Sequence, residues 1–369
     1  WGKRDSVKFR CERDVLVDAL ATAQRATSTR ATLPVLSGLR LSLSGNQLRL
    51  TGSDLDLTIT TEILVNGEVD GVSVLPAKFA VDIVRSLEGG AIEVETDGED
   101  ARISGGRSNF RLHTIPADEF PNLIDPAGEK VVLQSADLAE GLKQVVRAAS
   151  TDESRPILTG VLLAAEGHGL RMVSTDSYRL AVRDLPGTTA LREGQTVLVP
   201  SRALNELARA LHDDTDVTLV LGERDASFQV GDLHLTTRLI EGEFPNYRGL
   251  IPTAQPNRLH VDRQALLDAV RRVRLMAREN SPVRLTMTTG LLELRAVTLD
   301  VGEASEQIDA TYDGDELTVA FNPEYLVDGL EVTPGEQVSL ETVDSLKPAL
   351  IRPIGSEDFL YLLMPVRVS

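Results

Sequence analysis

The chain has 369 residues, 42% apolar and 25% charged, with a formal charge of −18, which places it among folded globular proteins of two to three domains at roughly 100 to 200 residues each. Its unbroken apolar stretches, such as Val131 to Leu133 and Val161 to Ala165, run only a few residues and fall far short of the roughly 18 to 20 that cross a bilayer, so a membrane-spanning helix is excluded. Cys11 is the only cysteine, which excludes a disulfide framework and any Cys-based metal centre and fits a reducing cytoplasm.

Trp1 to Ser6 carry charges and no apolar stretch, so no secretory signal is expected there and residues 1–6 read as an upstream extension or remnant before a start near Val7. A first helix is predicted over Asp14 to Ala26, with Leu16, Leu20 and Ala23 on one face. Alternating strands follow at Leu39 to Leu43 and Leu55 to Thr60. Val74-Leu75-Pro76 then runs from a short apolar strand into a second helix, with Pro at the first helical position, where a missing N–H costs nothing. After a linker at Asp125 to Gly128 the same order begins again. A helix over Ser135 to Ala149 uses Leu138, Leu142 and Val145, and Leu198-Val199-Pro200 opens its second helix. After a second linker at Thr253 to Pro256, a helix over Asp262 to Arg278 uses Leu266, Val270 and Val273, and Ala320-Phe321-Asn322-Pro323 opens the last one. Asp14, Ser135 and Asp262 are the expected N-caps.

These similarities share one register. Leu48-Arg49-Leu50-Thr51-Gly52-Ser53-Asp54 recurs as Leu170-Arg171-Met172-Val173-Ser174-Thr175-Asp176 and, more weakly, from Leu292, a step of 122 both times. Pro76, Pro200 and Pro323 are 124 and 123 apart, and Glu119-Phe120-Pro121-Asn122 returns verbatim at Glu243 to Asn246, a step of 124. The expected fold is therefore α+β, three repeats at 7–126, 127–254 and 255–369, each with two helices packed on antiparallel sheets.

No phosphate-binding loop occurs, and Gly89-Gly90 and Gly105-Gly106 lack the strand-to-helix context of a dinucleotide fingerprint. His113, His168, His212, His234 and His260 show neither metal-ligand spacing nor a nucleophile partner, so neither metal nor cofactor is expected. Acidic pairs such as Asp54 with Asp56, Glu93 with Glu95 and Asp213 with Asp214 read as strand faces and turns. A hydrolase or isomerase using Asp54 and Asp176 on equivalent strands is the alternative enzyme reading, and a repeat-built adhesion or ligand-binding protein is a third. The charge argues against a conventional nucleic-acid binder, yet the helices come out near neutral while the remainder holds nearly all the negative charge. Basic residues are 32 arginines against 6 lysines, a bias that suits phosphate contacts and equally suits a GC-rich genome.

The opening Val7-Lys8-Phe9-Arg10-Cys11-Glu12-Arg13 and the segments Thr32-Leu33-Pro34-Val35-Leu36, Thr175-Asp176-Ser177-Tyr178-Arg179-Leu180-Ala181, Phe244-Pro245-Asn246-Tyr247 and Leu362-Leu363-Met364-Pro365-Val366-Arg367 together resemble the bacterial sliding clamps, the beta subunits of DNA polymerase III. Lys347 to Pro353 is most similar to actinobacterial members. The resemblance implies three copies of one fold per chain and two chains head to tail in a six-domain ring around duplex DNA, a cytoplasmic, non-catalytic processivity factor. It implies a dimer contact at Phe110 and Leu112 on an edge strand and Leu275 and Met276 on a third-repeat helix, Leu112 being equally an ordinary core position. It carries DNA contact to Arg30, Arg85, Arg155, Arg202, Arg209, Arg271, Arg274 and Arg278. It also implies a groove for short motifs of the replicative polymerase, clamp loader, repair polymerases and ligase, lined by Thr175, Tyr178, Arg179, Leu180, Pro245, Leu250, Tyr325, Leu346, Met364, Pro365, Val366 and Arg367. Departures from the family pattern fall at Asp152, Pro156 and Ile157 and at Gly249.

Overall fold

The computed structural model describes residues 6–28, 33–212, 215–277 and 281–367. Arg30 and Arg278, with Thr32 and the Asp213-Asp214 pair, lie outside the described residues, as do residues 1–5. Helices form at α1 (Arg13–Gln24), α2 (Ala77–Ser86), α3 (Ser135–Val145), α4 (Ser201–Ala210), α5 (Arg263–Val273) and α6 (Pro323–Val332), two per repeat as the periodicity predicts. The predicted core positions Leu16, Leu20, Ala23, Leu138, Leu142, Val145, Leu266, Val270 and Val273 are all buried. Among the described residues no helix is long and apolar enough to cross a membrane.

The ends of the helices differ from the sequence expectation. Asp262 caps α5, its carboxylate accepting from the Ala265 N–H at 2.7 Å. α1, however, begins at Arg13 behind an uncapped Glu12, and Asp14 sits inside it, paired with Arg13. There its charge faces the positive end of the helix dipole. Pro323 is the first residue of α6, whereas Pro76 and Pro200 close the preceding strands, Gly71–Pro76 and Thr196–Pro200, one residue before their helices. The first helices of repeats two and three shorten into 3₁₀ turns at Val146–Ala148 and Arg274–Met276. The strand predicted from Leu55 starts at Leu57, because Leu55 takes φ +79° in the turn before it.

The chain forms two compact units that cut across the repeats. Residues 1–135 and 209–239 form the first, and 136–208 and 240–369 the second. In the first unit a five-stranded antiparallel sheet runs in the order Asn66–Val69, Lys8–Glu12, Ala91–Thr96, Asp100–Gly105, Ser108–His113. An eight-stranded sheet runs Lys130–Gln134, Asp216–Leu221, Asp225–Val230, Leu233–Arg238, Leu57–Leu64, Gln47–Ser53, Gly38–Ser44, Gly71–Pro76. Its middle joint is the pairing of Leu233–Arg238 with Leu57–Leu64, Leu235 opposite Ile59. Leu39, Leu41, Leu48 and Leu50 from this sheet pack with Phe9 and Val94 from the other and with Leu20 of α1 and Val81 of α2.

The second unit repeats the plan. A nine-stranded sheet runs Thr196–Pro200, Gly160–Glu166, Gly169–Thr175, Arg179–Pro186, Phe359–Leu363, Ala349–Pro353, Gln337–Thr342, Asn257–Asp262, Thr311–Asp313, and a four-stranded sheet runs Gly302–Asp309, Leu291–Thr298, Val283–Thr288, Leu317–Phe321. The joint between repeats is again an antiparallel pair, with Ala181 opposite Tyr361. Gly329 of α6 comes so close to this sheet that a Cβ there would meet the Tyr361 ring at 2.5 Å. Two strands keep an unpaired edge where the repeat plan has a joint: Ser108–His113 in the first unit and Gly302–Asp309 in the second.

Candidate functional site

In the second unit the turn Asp176-Ser177-Tyr178 links two central strands of the large sheet. Asp176 Oδ1 accepts from the Tyr178 and Arg179 N–H groups, and Thr175 Oγ1 donates to the Arg179 carbonyl. Ser177 holds φ +83°, a left-handed conformation unusual for a side chain other than Asn or Asp. This strained turn lifts Tyr178, 57% exposed, out of the sheet, and its ring stacks on Tyr325 of α6 at 6.4 Å. Leu55, at φ +79°, sits at the same place in the first repeat, where Asp54 Oδ1 accepts from Asp56 and Leu57. Both aspartates are thus spent on turn N–H groups, which leaves the hydrolase or isomerase reading without its carboxylates.

The C-terminal segment seats against this turn. Met364 N donates to the Tyr178 carbonyl and Val366 N to the Ala320 carbonyl, each at 2.8 Å. Met364 and Arg367 are exposed, and Pro365 and Val366 half-buried. Leu346, 62% exposed, stands on a turn capped by Asp344 Oδ1, which accepts from the Leu346 and Lys347 N–H groups. These donors hold the Asp344 carboxyl below its ordinary value. Leu250 and Pro245 are exposed on the segment that carries the buried Tyr247. Tyr178, Leu250, Leu346 and Met364 are thus exposed apolar side chains, Tyr178 and Met364 tied by a backbone bond and Leu250 next to Ile251, which packs against a buried cluster that includes Leu350. Leu180, 1% exposed, belongs to that buried cluster with Tyr247, Leu350 and Leu362. Thr175 is likewise buried and acts on the backbone.

Arg179 is the charged centre of the site and only 11% of its side chain is exposed. Nε donates to Asp176 Oδ2 at 3.0 Å, Nη1 to Asp328 Oδ2 at 2.5 Å and to the Tyr361 hydroxyl at 3.3 Å, and the guanidinium lies 4.4 Å from the Tyr325 ring centre. Burial alone lowers its pKa, but Tyr361, Asp328 and Asp176 outweigh it and leave the group raised and charged. Asp328 and Tyr361 carry no sequence signal for this role, because they lie 149 and 182 residues from Arg179.

The first unit has the same scaffold with a different floor. Leu162, Val173, Leu180, Val182, Leu350, Leu360 and Leu362 pack under Phe244, Tyr247 and Ile251 in the second unit. Their repeat counterparts are Arg40, Thr51, Thr58, Thr60, Ser227, His234 and Thr236, which line a polar cleft of about 1170 Å³ beside Phe120 to Pro126. Burial and the nearby Arg49 lower the Arg40 pKa. Such a floor suits water rather than apolar anchors, so the first unit does not repeat the apolar floor of the second.

The candidate DNA arginines are spread over helices and one loop. Arg85 on α2 faces Asp82 at 3.9 Å, and Arg202 and Arg209 lie on α4. Arg271 pairs with Glu331 at 2.7 Å, Arg274 with Glu324 at 3.2 Å, and Arg155 with Asp152 at 3.0 Å. Pairs this exposed are worth about 0 to 1 kcal/mol, so phosphates can compete for them. Phe110 is exposed on the free edge strand, while Leu112 packs partly against the first-unit core. Leu275 is 80% exposed and Met276 half-buried on the 3₁₀ turn after α5. Sequence reasoning missed the second free edge, Gly302–Asp309, which has almost no apolar residues to mark it. Among the described residues no cluster of His, Cys, Asp and Glu could hold a metal, and burial pushes the Cys11 thiol up to about 12.

Family models of the DNA polymerase III beta subunit match in three consecutive pieces: its N-terminal domain at residues 7–124, its central domain at 132–246 and its C-terminal domain at 248–367. The beta sliding clamp of Streptomyces coelicolor is 36% identical over 98% of this chain and 100% of its own length, and that of Pseudomonas putida 33% identical with the same coverage. The solved Bacillus subtilis DNA polymerase sliding clamp superposes with a TM-score of 0.90 at 30% identity, covering 98% of this chain and 100% of the other. A Pseudomonas aeruginosa sliding clamp bound to griselimycin gives a TM-score of 0.90 at 31% identity, covering both chains fully at 100%.

Proposed function

We propose, since the chain belongs to the bacterial sliding clamps, the beta subunits of DNA polymerase III, that two copies close head to tail into a six-domain ring through the two free strand edges. The chain acts in DNA replication as a sliding clamp. The observation behind ring closure is the repeat plan: each internal joint is an antiparallel strand pair, and Ser108–His113 and Gly302–Asp309 are edge strands at the equivalent positions. A heterologous interface of this kind closes when its rotation permits. His234 opposes Thr60 at the first joint. The repeat steps carry that register to Phe110 opposite Ala304 and Arg111 opposite Glu303, with Leu112, Leu275 and Met276 beside the seam. The three domains take the boundaries 7–126, 127–254 and 255–369.

Duplex DNA passes through the ring and is held by topology, with Arg30, Arg85, Arg155, Arg202, Arg209, Arg271, Arg274 and Arg278 making screened, sequence-independent contacts to phosphates. The protein contributes no catalysis and works in the cytoplasm. The surface of Tyr178, Leu250, Leu346 and Met364 takes a short extended peptide from the replicative polymerase, clamp loader, repair polymerases or ligase, with Leu and Phe anchors on the apolar side and Gln at the polar edge. A Pseudomonas aeruginosa relative bound to griselimycin supports a ligand-binding surface on clamps of this family. Two anchors contribute roughly 1.5 to 3 kcal/mol each, offset by ordering the peptide, so an isolated motif binds at micromolar strength. Protein loaded on a nicked circle should stay bound until the circle is linearised and then leave. Equal retention on linear DNA with open ends, or a preference among sequences, overturns the topological reading.

A further inference from the structure

Arg179 is shared between two carboxylates, and only one of them is anchored by its own turn. Asp176 spends Oδ1 on two backbone N–H groups and Oδ2 on Arg179. Asp328 is different. Its Oδ2 takes Arg179 Nη1 at 2.5 Å, while its Oδ1 faces Arg147 Nη1 at 3.5 Å. Arg147 is held in turn by Glu331, one helical turn further along α6, and Glu331 Oε1 takes Arg271 Nη2 at 2.7 Å. Arg147 thereby holds the Glu331 carboxyl below its ordinary value. The result is an unbroken chain of alternating charge, Arg179, Asp328, Arg147, Glu331, Arg271, within the second unit. Each carboxylate in it serves two arginines.

This sharing has a consequence for the peptide surface. Arg179 supports Tyr325 from below and Tyr325, half-buried, stacks on the exposed Tyr178, so the guanidinium sets the pose of both rings. Glu331 touches none of these groups. It occupies Arg147, and an Arg147 deprived of Glu331 has Asp328 as its nearest remaining carboxylate. Drawn toward Arg147, Asp328 loosens its hold on Arg179.

We propose that Asp328 is the positioning residue of the peptide surface and that Glu331, from outside that surface, keeps it there by engaging Arg147. This rests on the peptide-binding reading above. A purely structural role for the chain predicts that loss of each ion pair adds to the damage; competition for Asp328 predicts that one loss repairs another.

The test titrates the full-length protein with a fluorescent hexapeptide ending in Leu and Phe, by anisotropy, with sedimentation and thermal unfolding as controls on folding. Asp328→Asn should weaken the peptide about tenfold and Glu331→Gln several-fold, with mass unchanged. Adding Arg147→Met to Glu331→Gln should restore affinity to within twofold of the parent protein. Glu331→Gln without effect, or a double variant as weak as the single one, overturns the proposal. The NMR signal of the Arg179 guanidinium, assigned with Arg179→Lys, gives a readout that needs no ligand. Its side-chain N–H should broaden in Asp328→Asn and Glu331→Gln and sharpen again in the double variant. A parent protein that ignores the peptide sinks the peptide reading, and the Arg179 signal then decides the positioning claim alone: an unchanged signal in all variants refutes it.

Discussion

At the scale of single residues, the positions that matter most are those where backbone and side chain come closest. Gly329 allows α6 to lie against Tyr361, a ring that is 1% exposed and whose hydroxyl donates to the Tyr325 carbonyl and accepts from Arg179. A methyl there has to move an aromatic ring locked on both sides, and overpacking of this kind costs about 1 to 3 kcal/mol. Gly329→Ala should therefore lower the unfolding midpoint in denaturant and weaken the hexapeptide together, whereas an unchanged affinity would place Tyr361 outside the support of the site. Ser177→Gly should act in the opposite direction, relieving a left-handed φ of 83° at a strain of order 1 kcal/mol and raising the unfolding midpoint. Little of this was legible in the sequence. The Asp262 cap was, because a cap and its helix are neighbours in the chain. The Arg179 environment was not, because its partners come from strands and a helix that meet only after the repeats have joined.

At the scale of elements, the repeat register read from the sequence predicted two helices per repeat and the buried faces correctly, since a 3.6-residue period survives any change in tertiary context. The edges of those elements were less legible. Pro76 and Pro200 close a strand as readily as they open a helix, because the ring fixes only φ, near −65°, and ψ decides: Pro76 has φ −55° and an extended ψ of 113°. The turn that displays Leu346 belongs to this scale as well. Asp344 caps it through two N–H groups and its pKa is depressed from the ordinary 3.8. A carboxyl with a lower pKa folded than unfolded contributes stability above the unfolded value and loses it as pH falls through the folded one. Peptide affinity should therefore be insensitive to this group near neutral pH and fall below about pH 4. Asp344→Asn, which keeps an acceptor oxygen but does not titrate, should flatten that part of the profile. The C-terminal segment is the other element that builds the surface. Deleting Met364 to Ser369 removes the bonds to the Tyr178 and Ala320 carbonyls along with the Met364 side chain, so peptide binding should disappear while sedimentation still reports the parent mass. Retained affinity, or loss of the dimer, would mean the surface is misplaced.

At the scale of the whole molecule, the same joint is used twice inside the chain and left half-made at each free edge. Exposed strand edges invite pairing with another chain, and the register carried over from the internal joints makes a definite claim about which side chains meet. It sets Arg111 opposite Glu303, opposite charges on facing edge positions, a pairing that contributes roughly 0.2 to 1 kcal/mol across two antiparallel strands. Within one chain Arg111 pairs with Asp100, and Glu303 with Arg295 at 2.5 Å, so the proposed inter-chain contact adds to two existing pairs instead of rescuing unpaired charges. Arg111→Glu or Glu303→Arg alone places like charges opposite each other at both seams of the ring. Either should raise the dimer dissociation constant by tenfold or more in sedimentation equilibrium at low salt, and added salt should reduce the defect. Combining the two substitutions restores opposite charges with reversed sign and should recover most of the parent affinity. A double variant no better than the sum of its parts would show that the strands meet in another register, and unchanged dimers in both single variants would remove these edges from the interface.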